Sequence, residues 1–566
     1  MRYILVVVGL ILPIVSFAQS TNAPLNPDYY HWIERYEIKS GKFSKNFFSQ
    51  VKPYKRSDIA AFIDSIRSSD MTLSRADEFN LTYLTNDNWE WSDDSTYTSR
   101  KPILKHFYRA KSDLFHVDEP DFDLHINPVL HLGTGFESES DANLFVNTRG
   151  VEVRGVIDKK LGFYSYIGEN QVRLPFYVQD RVDETLVVPN EGFWKDFKED
   201  GYDFFTARGY ISFEATKSIN LQFGHDRFNI GNGHRSLILS DFAPAYLFLK
   251  VNTKVWKLNY MNLFTQKTAD VDANSAGTLS TGPYPDKYVS LHHLSINITD
   301  NLNIGVFESV IFGSEDSTRV GDDFDPNYLN PVIFFRAVEQ QKGSPHNVLL
   351  GADFKWFLFN RISLYGQFVL DEFLLDRVTE GRGWWGNKFS AQFGGKYIDA
   401  FGIPNLDLQG EYNVSRPYNY SHNTSFGSYS HYRQPLAHPL GANFREFIGI
   451  ARYQPTGRLN LTGKLIYANY GTDTTGLNVG TNILLDNTTR NNGTGSRDFN
   501  NEIAQGIGTD LLFLDLTASY QLRHNLFIDV KQVFRDLDSE LDERDQNTSF
   551  TSVSLRWNIP QRVHEF

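Results

Sequence analysis

From about residue 122 onward, apolar and polar residues alternate with a period of two, and the connections between the alternating runs are by turns very short and very long. In NLDLQGEYNVS, Leu406, Leu408, Tyr412 and Val414 alternate with Asp407, Gln409, Glu411, Asn413 and Ser415. In SFTSVSLRWNI, Val553, Leu555, Trp557 and Ile559 oppose Ser552, Ser554, Arg556 and Asn558. DLHINPVLHLGTGF sets Leu124, Ile126, Leu130 and Leu132 against Asp123, His125, Asn127 and His131. A period of two makes each run a strand whose faces meet different surroundings. A soluble sandwich also has one apolar face, so the connections decide. Tight turns are expected at Asp158–Lys160, Thr216–Lys217, Thr299–Asn301, Phe401–Pro404 and Arg523–His524. Long loops are expected at 178–202, 265–287, 313–346, 372–387, 416–444 and 470–509. Short turns at one end and long loops at the other are the mark of a bacterial outer-membrane barrel. Counting the alternating runs gives an all-β transmembrane fold, an antiparallel β-barrel of about 18 strands.

In such a barrel the polar face looks inward. Glu152, Arg154, Asp353, Lys355, Asp407, Glu411, Lys464, Asp515, Lys531 and Arg556 would line the lumen as ion pairs, because buried charges are paired. Phe136, Trp256, Tyr260, Trp356, Tyr412 and Trp557 would face lipid as interfacial girdles. Aromatics at 15% of the chain, with 45 Phe and 29 Tyr, suit this reading. A net charge of −13 argues against a nucleic-acid partner, which rewards basic surfaces.

Residues 1–18 read as a signal peptide: Arg2, an apolar stretch from Tyr3 to Phe17, then Ser16 and Ala18 at small-residue cleavage positions. The stretch is too short to span a membrane. With no cysteine anywhere, neither a lipid anchor at the cleavage site nor a disulfide is available. Residues 19–110 lose the period of two. Ser57 opens SDIAAFIDSIR as an N-cap, with Ile59, Phe62, Ile63 and Ile66 at helical spacing. Ser74 opens SRADEFNLTYL, and Asp77 three residues on resembles a capping box. The expected plan is a signal peptide over 1–18, a periplasmic helical plug over 19–110 and the barrel with long extracellular loops over 111–566. The helices would close the mouth of a lumen otherwise wide enough to leak, or dock a periplasmic or export-machinery partner.

The long loops hold the residues suited to a ligand. In 416–444, Tyr418, Tyr420, Tyr429 and Tyr432 stand among His422, His431 and Arg433, and Trp384 and Trp385 lie in GRGWWGN. Aromatic faces stack on sugar C–H surfaces while polar neighbours take the hydroxyls; a self-packed loop is the alternative. For metals, Asp322, Asp323 and Asp325 in GDDFDPN, and Asp270 and Asp272 in DVDAN, offer oxygen ligands for Ca2+ without EF-hand spacing. No HExxH or G-x-S-x-G occurs, so neither a cofactor nor catalysis is expected.

GHDRFNIGNGHRSLILSD, residues 224–241, suggests a phosphate loop until it is set among the strands. GNG is not G-x-G-x-x-G, and no helix follows. By strand parity it is an outer-side loop whose polar residues face the lumen or the loop cap, whose SLIL leads back into the wall, and whose histidines and arginines brace it or, as the alternative, contact a ligand. Its elements Arg227, Gly231, Gly233, Ser236, Leu237, Leu239, Ser240, Asp241 and Pro244 resemble a segment of the Wzi-like capsule-assembly proteins. PYKRSDIAAFIDSI, LAHPLGANFREF and the overall plan are similar too. The resemblance implies an outer-membrane barrel of 18 strands, closed by periplasmic helices, that anchors exported polysaccharide at the cell surface without turnover. Its partners would be outer-membrane lipid and surface polysaccharide. A porin-like channel, or a scaffold for surface machinery, is the alternative.

Overall fold

The computed structural model describes residues 19–566 except 94, 139, 199, 270–285, 314–323, 333, 344–345, 425, 474–476 and 491–496. Eighteen antiparallel strands close into a barrel. In chain order the first nine are β1 Phe122–Glu137, β2 Ser140–Ile157, β3 Leu161–Arg173, β4 Gly201–Thr216, β5 Ile219–Asp226, β6 Tyr246–Val255, β7 Leu258–Thr268, β8 Asp286–Asn297 and β9 Leu302–Phe312. The rest are β10 Asn347–Leu358, β11 Ile362–Glu372, β12 Lys388–Tyr397, β13 Leu406–Ser415, β14 Phe444–Thr456, β15 Leu459–Thr472, β16 Ile507–Arg523, β17 Leu526–Ser539 and β18 Gln546–Trp557. Closure comes where Phe550–Trp557 pair with Leu130–Glu137. Below that seam the short strand Phe115–Glu119 takes the free edge of β1. No described helix is long and apolar enough to cross a membrane.

The alternation sorts the side chains as expected. On β13, Asp407, Gln409, Glu411, Asn413 and Ser415 are buried inside, while Leu406, Leu408, Tyr412 and Val414 face out. Phe136, Phe205, Phe223, Phe393 and Phe447 stand exposed on the exterior. The tight turns carry left-handed residues, as the strand twist requires, at Asp158, Lys159, Trp256, Phe359, Asn360 and Asn525. Trp256 and Phe359 project outward from them, where an aromatic belt meets the membrane interface.

Alternation inverts on β8 and β9. Val289 and Leu291 point inward and Ser290 and His292 outward, as does Glu308. Inside, the apolar residues meet an apolar cluster carried by loops. Outside, the short turn Pro326–Leu329 and the helix Phe335–Lys342 lie against the wall. Glu308 accepts the amides of Phe335 and Arg336 at 2.8 Å each, capping the helix Phe335–Lys342. The Tyr260 hydroxyl donates to the Pro331 carbonyl at 2.7 Å.

Three helices, α1 Pro27–Ser40, α2 Arg56–Arg67 and α3 Arg75–Asp87, pack across the short-turn end. They touch turn after turn around the rim. Gln19 N donates to Lys159 O at 3.2 Å, and Phe43 N to Asp300 O at 2.8 Å. Ser74 Oγ meets Asn405 at 2.6 Å, Asn80 meets Gln454 at 2.7 Å, and Asp87 accepts from Asn525 at 3.1 Å. The Ser74–Asp77 capping box on α3 is formed. On α2 the expected cap is displaced by two residues: Lys55 is the N-cap without a side-chain bond, and the Ser57 amide is satisfied by Ser20 Oγ at 3.0 Å. α1 was not expected from the sequence. Tyr29, Trp32, Ile33 and Tyr36 recur at helical spacing and enter the helical core, but Glu34, Arg35 and Glu37 are buried as well, so the stripe is not set against a charged, solvent-facing side. Its end signals were nevertheless present: Asn26 caps the amides of Asp28 and Tyr29, Pro27 takes the first position and left-handed Gly41 closes it.

Candidate functional site

The chain between β5 and β6 does not stand up as an outer loop. It turns into the lumen, and this corrects the expectation that SLIL rejoins the wall. Phe228, Ile230, Leu237, Ile238 and Leu239 are at most 2% exposed and sit in the main apolar cluster. Val51 and Lys52, just before α2, pair as a small strand with Ile230 and Asn229. Gly231 N donates to Gln50 O at 2.8 Å. Gly231 has φ +145°, and a Cβ there would fall 2.6 Å from the Gln367 amide nitrogen, so only glycine passes. Ser236 Oγ accepts the amides of Ile238 and Leu239 at 3.2 Å each, and Ser240 N donates to Leu436 O at 2.8 Å. An apolar loop in a polar lumen is stable here because it brings its own partners.

The histidines and arginines of this loop brace it. The amides of His234 and Arg235 donate to Glu411 at 2.6 and 3.0 Å. The Arg235 side chain meets Glu446 at 3.0 Å, and His234 meets Glu565 at 2.6 Å. Burial pushes the His234 imidazole below its ordinary pKa even though Glu565 pulls it up. Arg227 donates to the Asp241 carbonyl at 2.9 Å, tying the two ends of the loop.

Loop 416–444 supplies the other half of the inner cluster. The hydroxyls of Tyr420 and Tyr429 donate to the carbonyls of Leu237 and Ile238 at 2.8 Å each, and that of Tyr418 donates to Asn478 O at 3.0 Å. All three rings are at most 1% exposed. His431 is buried and accepts the Thr268 amide on Nδ1 at 2.9 Å; burial drives its pKa well down, so it is neutral. Trp384, Trp385, His422, Tyr432 and Arg433 are only partly buried. Trp384 and Trp385 lie 5.9 Å apart, and the Arg490 guanidinium covers Trp385 at 3.8 Å. Burial pushes His422 to about 4. Tyr432 and Arg433 are the left-handed corner of a small hairpin, Ser430–His431 against Gln434–Pro435.

Between α1, the inner loop and the wall lies a cavity of about 570 Å3. It collects Arg227, Gly233, Ser236, Ser240 and Asp241 of the 224–241 stretch, with Tyr432 from the aromatic loop. Tyr30, His31, Glu34 and Lys52 enter from the helical end, and Arg208, Lys396 and Arg452 from the wall. Seven cationic side chains against four carboxylates border it. Burial raises the Glu34 carboxyl, but Lys355, Lys396 and Lys52 outweigh it and hold the pKa well below the usual range; burial lowers Lys52 to about 8. The segment after β18, unmarked in the sequence reading, forms one side. Glu565 there pairs with Lys464, His234 and Arg235. Its only signal was a cluster of charged residues, QRVHEF, following the last alternating run.

Of the candidate Ca2+ ligands, Asp270, Asp272, Asp322 and Asp323 lie outside the described residues. Asp325 accepts from Asn327 N at 3.0 Å, capping a short turn. Among the described residues, no group of three His, Asp or Glu side chains is arranged to hold a metal ion.

No protein-family model matches the chain, and no curated protein matches it in sequence. Solved structures do match. The chain is similar to Wzi of Escherichia coli, described as an outer-membrane protein involved in group 1 capsule assembly and a carbohydrate-binding β-barrel. That match has 13% identity and a TM-score of 0.57, over 96% of this chain and 100% of that one. OprD of Pseudomonas aeruginosa matches at 11% identity and TM-score 0.41, over 78% of this chain and 95% of that one. OccAB4 of Acinetobacter baumannii matches at 7% and 0.41, over 78% and 98%. The Wzi likeness shows a shared fold: the chain is an outer-membrane-type β-barrel of 18 strands.

Proposed function

We propose that this protein binds surface polysaccharide without turnover, as a filled barrel in the bacterial outer membrane that anchors exported chains at the cell surface. The observation that carries the reading is how the lumen is occupied. Helices cross the short-turn end, the 227–245 loop crosses the middle, and a polar, aromatic-edged cavity of about 570 Å3 remains between them. That volume lies within the ~300–1,000 Å3 range of ligand sites. A barrel that conducts needs a water-filled lumen; one that holds a ligand needs a lined pocket. The resemblance of the fold to a carbohydrate-binding barrel supports the same reading. The short-turn end would then face the periplasm, the 1–18 leader would direct export, and Trp384, Trp385, His422, Tyr432 and Arg433 would meet the chain at the outer end.

Two measurements test this together. Purified full-length protein should bind surface polysaccharide from its own cells and show no steady conductance in a planar bilayer. Deleting the gene should release polysaccharide from the cell surface. A stable open pore with no polysaccharide binding would overturn the proposal in favour of a channel.

A further inference from the structure

We infer that the luminal cavity is a site for an acidic saccharide, reached sideways through a gap in the barrel wall beside β4; this rests on the polysaccharide-binding reading above. The gap follows from strand lengths. β3 runs along one edge of β4 from Tyr202 to Phe213. On the other edge, β5 pairs with β4 only up to Gly209↔His225, and the short strand Lys195–Phe197 covers only Gly201–Asp203. Residues 204–208 therefore have no strand on that side. Successive residues of a strand point to opposite faces. Phe204, Phe205, Thr206, Ala207 and Arg208 nevertheless all border the one cavity, which places it along the bare edge. The His225 ring, 3.2 Å from the Ala207 carbonyl, forms its sill.

The height of the gap says what can use it. Ala207 is level with outward-facing Ile167, and Phe205 with Glu169. Glu169 forms an exposed pair with Arg149 at 3.3 Å, with both side chains more than half exposed. The gap thus straddles the outer limit of the apolar belt, where a hydrated chain has access.

Inside, Arg235, Lys396 and Arg562 have carboxylate partners, whereas Arg208, Arg227 and Arg452 pair with none among the described residues. Arg208 stacks over the Tyr166 ring at 4.5 Å. Arg227 donates only to the carbonyls of Asp241 and Asn190, and Arg452 to the amide oxygen of Gln409. None of the three forms an ion pair among the described residues, and the Nε of each is buried without a hydrogen-bond partner. Guanidinium groups away from water are ordinarily paired, and their planar forks match carboxylate and phosphate oxygens two at a time. Tyr432, only partly buried at the cavity, adds a face for a sugar ring. The combination fits sugars that carry acid groups, from a polysaccharide chain or from a glycolipid headgroup.

The test uses full-length protein in detergent or nanodiscs, with oligogalacturonate as the acidic probe and a maltodextrin of equal length as the neutral one. Vesicles carrying a sialylated glycolipid, against vesicles carrying its neutral counterpart, provide the lipid-linked arm. The acidic form should bind at least tenfold tighter in one arm or the other, and which arm responds identifies the source. Arg208→Gln and Arg452→Gln should each abolish most of that preference, with thermal unfolding unchanged to show that the fold is kept. Because the chain has no cysteine, Thr206→Cys gives a unique thiol. A charged maleimide should label it from outside, and the acidic probe should protect it. Equal binding of acidic and neutral forms in both arms would overturn this inference and leave the polysaccharide reading standing. Binding of neither would overturn both. An unlabelled Thr206→Cys would overturn the side entry.

Discussion

Arg35 is the residue on which docking of the helices to the barrel depends most, and Arg35→Ala should undock α1. Its guanidinium is 2% exposed and bonds three carboxylates: Asp77 of α3 at 3.1 Å, Asp399 in the turn after β12, and Asp407 at the start of β13. Removing one partner from a buried ionic cluster costs about 3–5 kcal/mol, because the remaining charges stay buried. Two of the three acids keep a cation, since Lys39 lies 2.7 Å from Asp77 and 3.2 Å from Asp399. Asp407 keeps no cation, only the Asp399 amide at 3.1 Å and His31 at 3.0 Å; the His31 pKa is lowered by burial and by Arg452, so it serves as a neutral donor. The expected loss is therefore near the lower end, about 3 kcal/mol, or roughly a hundredfold faster opening of α1. Hydrogen exchange of the α1 and α3 amides reads this directly. Adding Asp407→Asn should recover at least about 1 kcal/mol by removing the stranded charge. A pH series gives a second check. Burial raises Asp77, but Arg35 and Lys39 outweigh it and hold the pKa at about 2, below its ordinary 3.8. Its contribution is full above the unfolded value and is lost as pH falls through the folded one. Docking should thus weaken only below about pH 4 in the native protein, and at higher pH in Arg35→Ala. Exchange rates within about 0.5 kcal/mol of native, with no rescue by Asp407→Asn, would refute the reasoning.

Gly231→Ala must place a Cβ 2.6 Å from Gln367 at φ +145°; it should cost about 1–3 kcal/mol in urea unfolding and deprotect the 227–245 amides. Tyr420→Phe and Tyr429→Phe each leave a buried carbonyl unpaired, costing about 1–3 kcal/mol with polysaccharide affinity unchanged. Tyr432→Ala, at the cavity, should do the reverse: weaken binding several-fold and leave unfolding unmoved, as read by titration and a melting curve. Deleting residues 19–100 should turn a silent bilayer into a conducting one, since α1 to α3 cross the short-turn end.

The barrel was legible because its two solvents, lipid outside and polar groups inside, are written into every second residue. Where a strand meets something else, the face becomes unreadable. On β8, Val289 and Leu291 face an apolar loop within, while Ser290 and His292 lie on the outward face beneath a covering segment, and the sequence carries no mark of either. α1 was hidden for a related reason: its stripe of Tyr29, Trp32, Ile33 and Tyr36 is interleaved with charges that are buried against polar lumen groups, so its two sides are not set apart as apolar and solvent-facing. Among the loop candidates, the sequence grouped residues by proximity and the fold regrouped them by role. Tyr418, Tyr420 and Tyr429 became braces, whereas Tyr432 joined Arg227 and Asp241 at the cavity across nearly two hundred residues of chain.

The lumen charges explain why the barrel is filled and where the filling stops. Several wall charges are half of a pair whose other half lies in the filling: Lys355 with Glu34 and Glu37 of α1, Arg154 with Glu90, Asp407 with Arg35, Lys464 with Glu565; others, such as Asp515 with Lys531 and Arg556 with Asp529, pair within the wall. Glu411 answers the backbone of the inner loop instead. A wall facing bulk water has no need of such partners, because water screens its charges. Wall and contents are therefore complementary, and each would be destabilised by removal of the other. That complementarity is incomplete along a band from Arg208 through Arg227 to Arg452, where partly buried guanidinium groups find rings, carbonyls and an amide but no carboxylate. It fails beside the one stretch of β4 that also lacks a strand neighbour. Unpaired guanidinium groups beside an uncovered strand edge are what the acidic partner proposed above would complete.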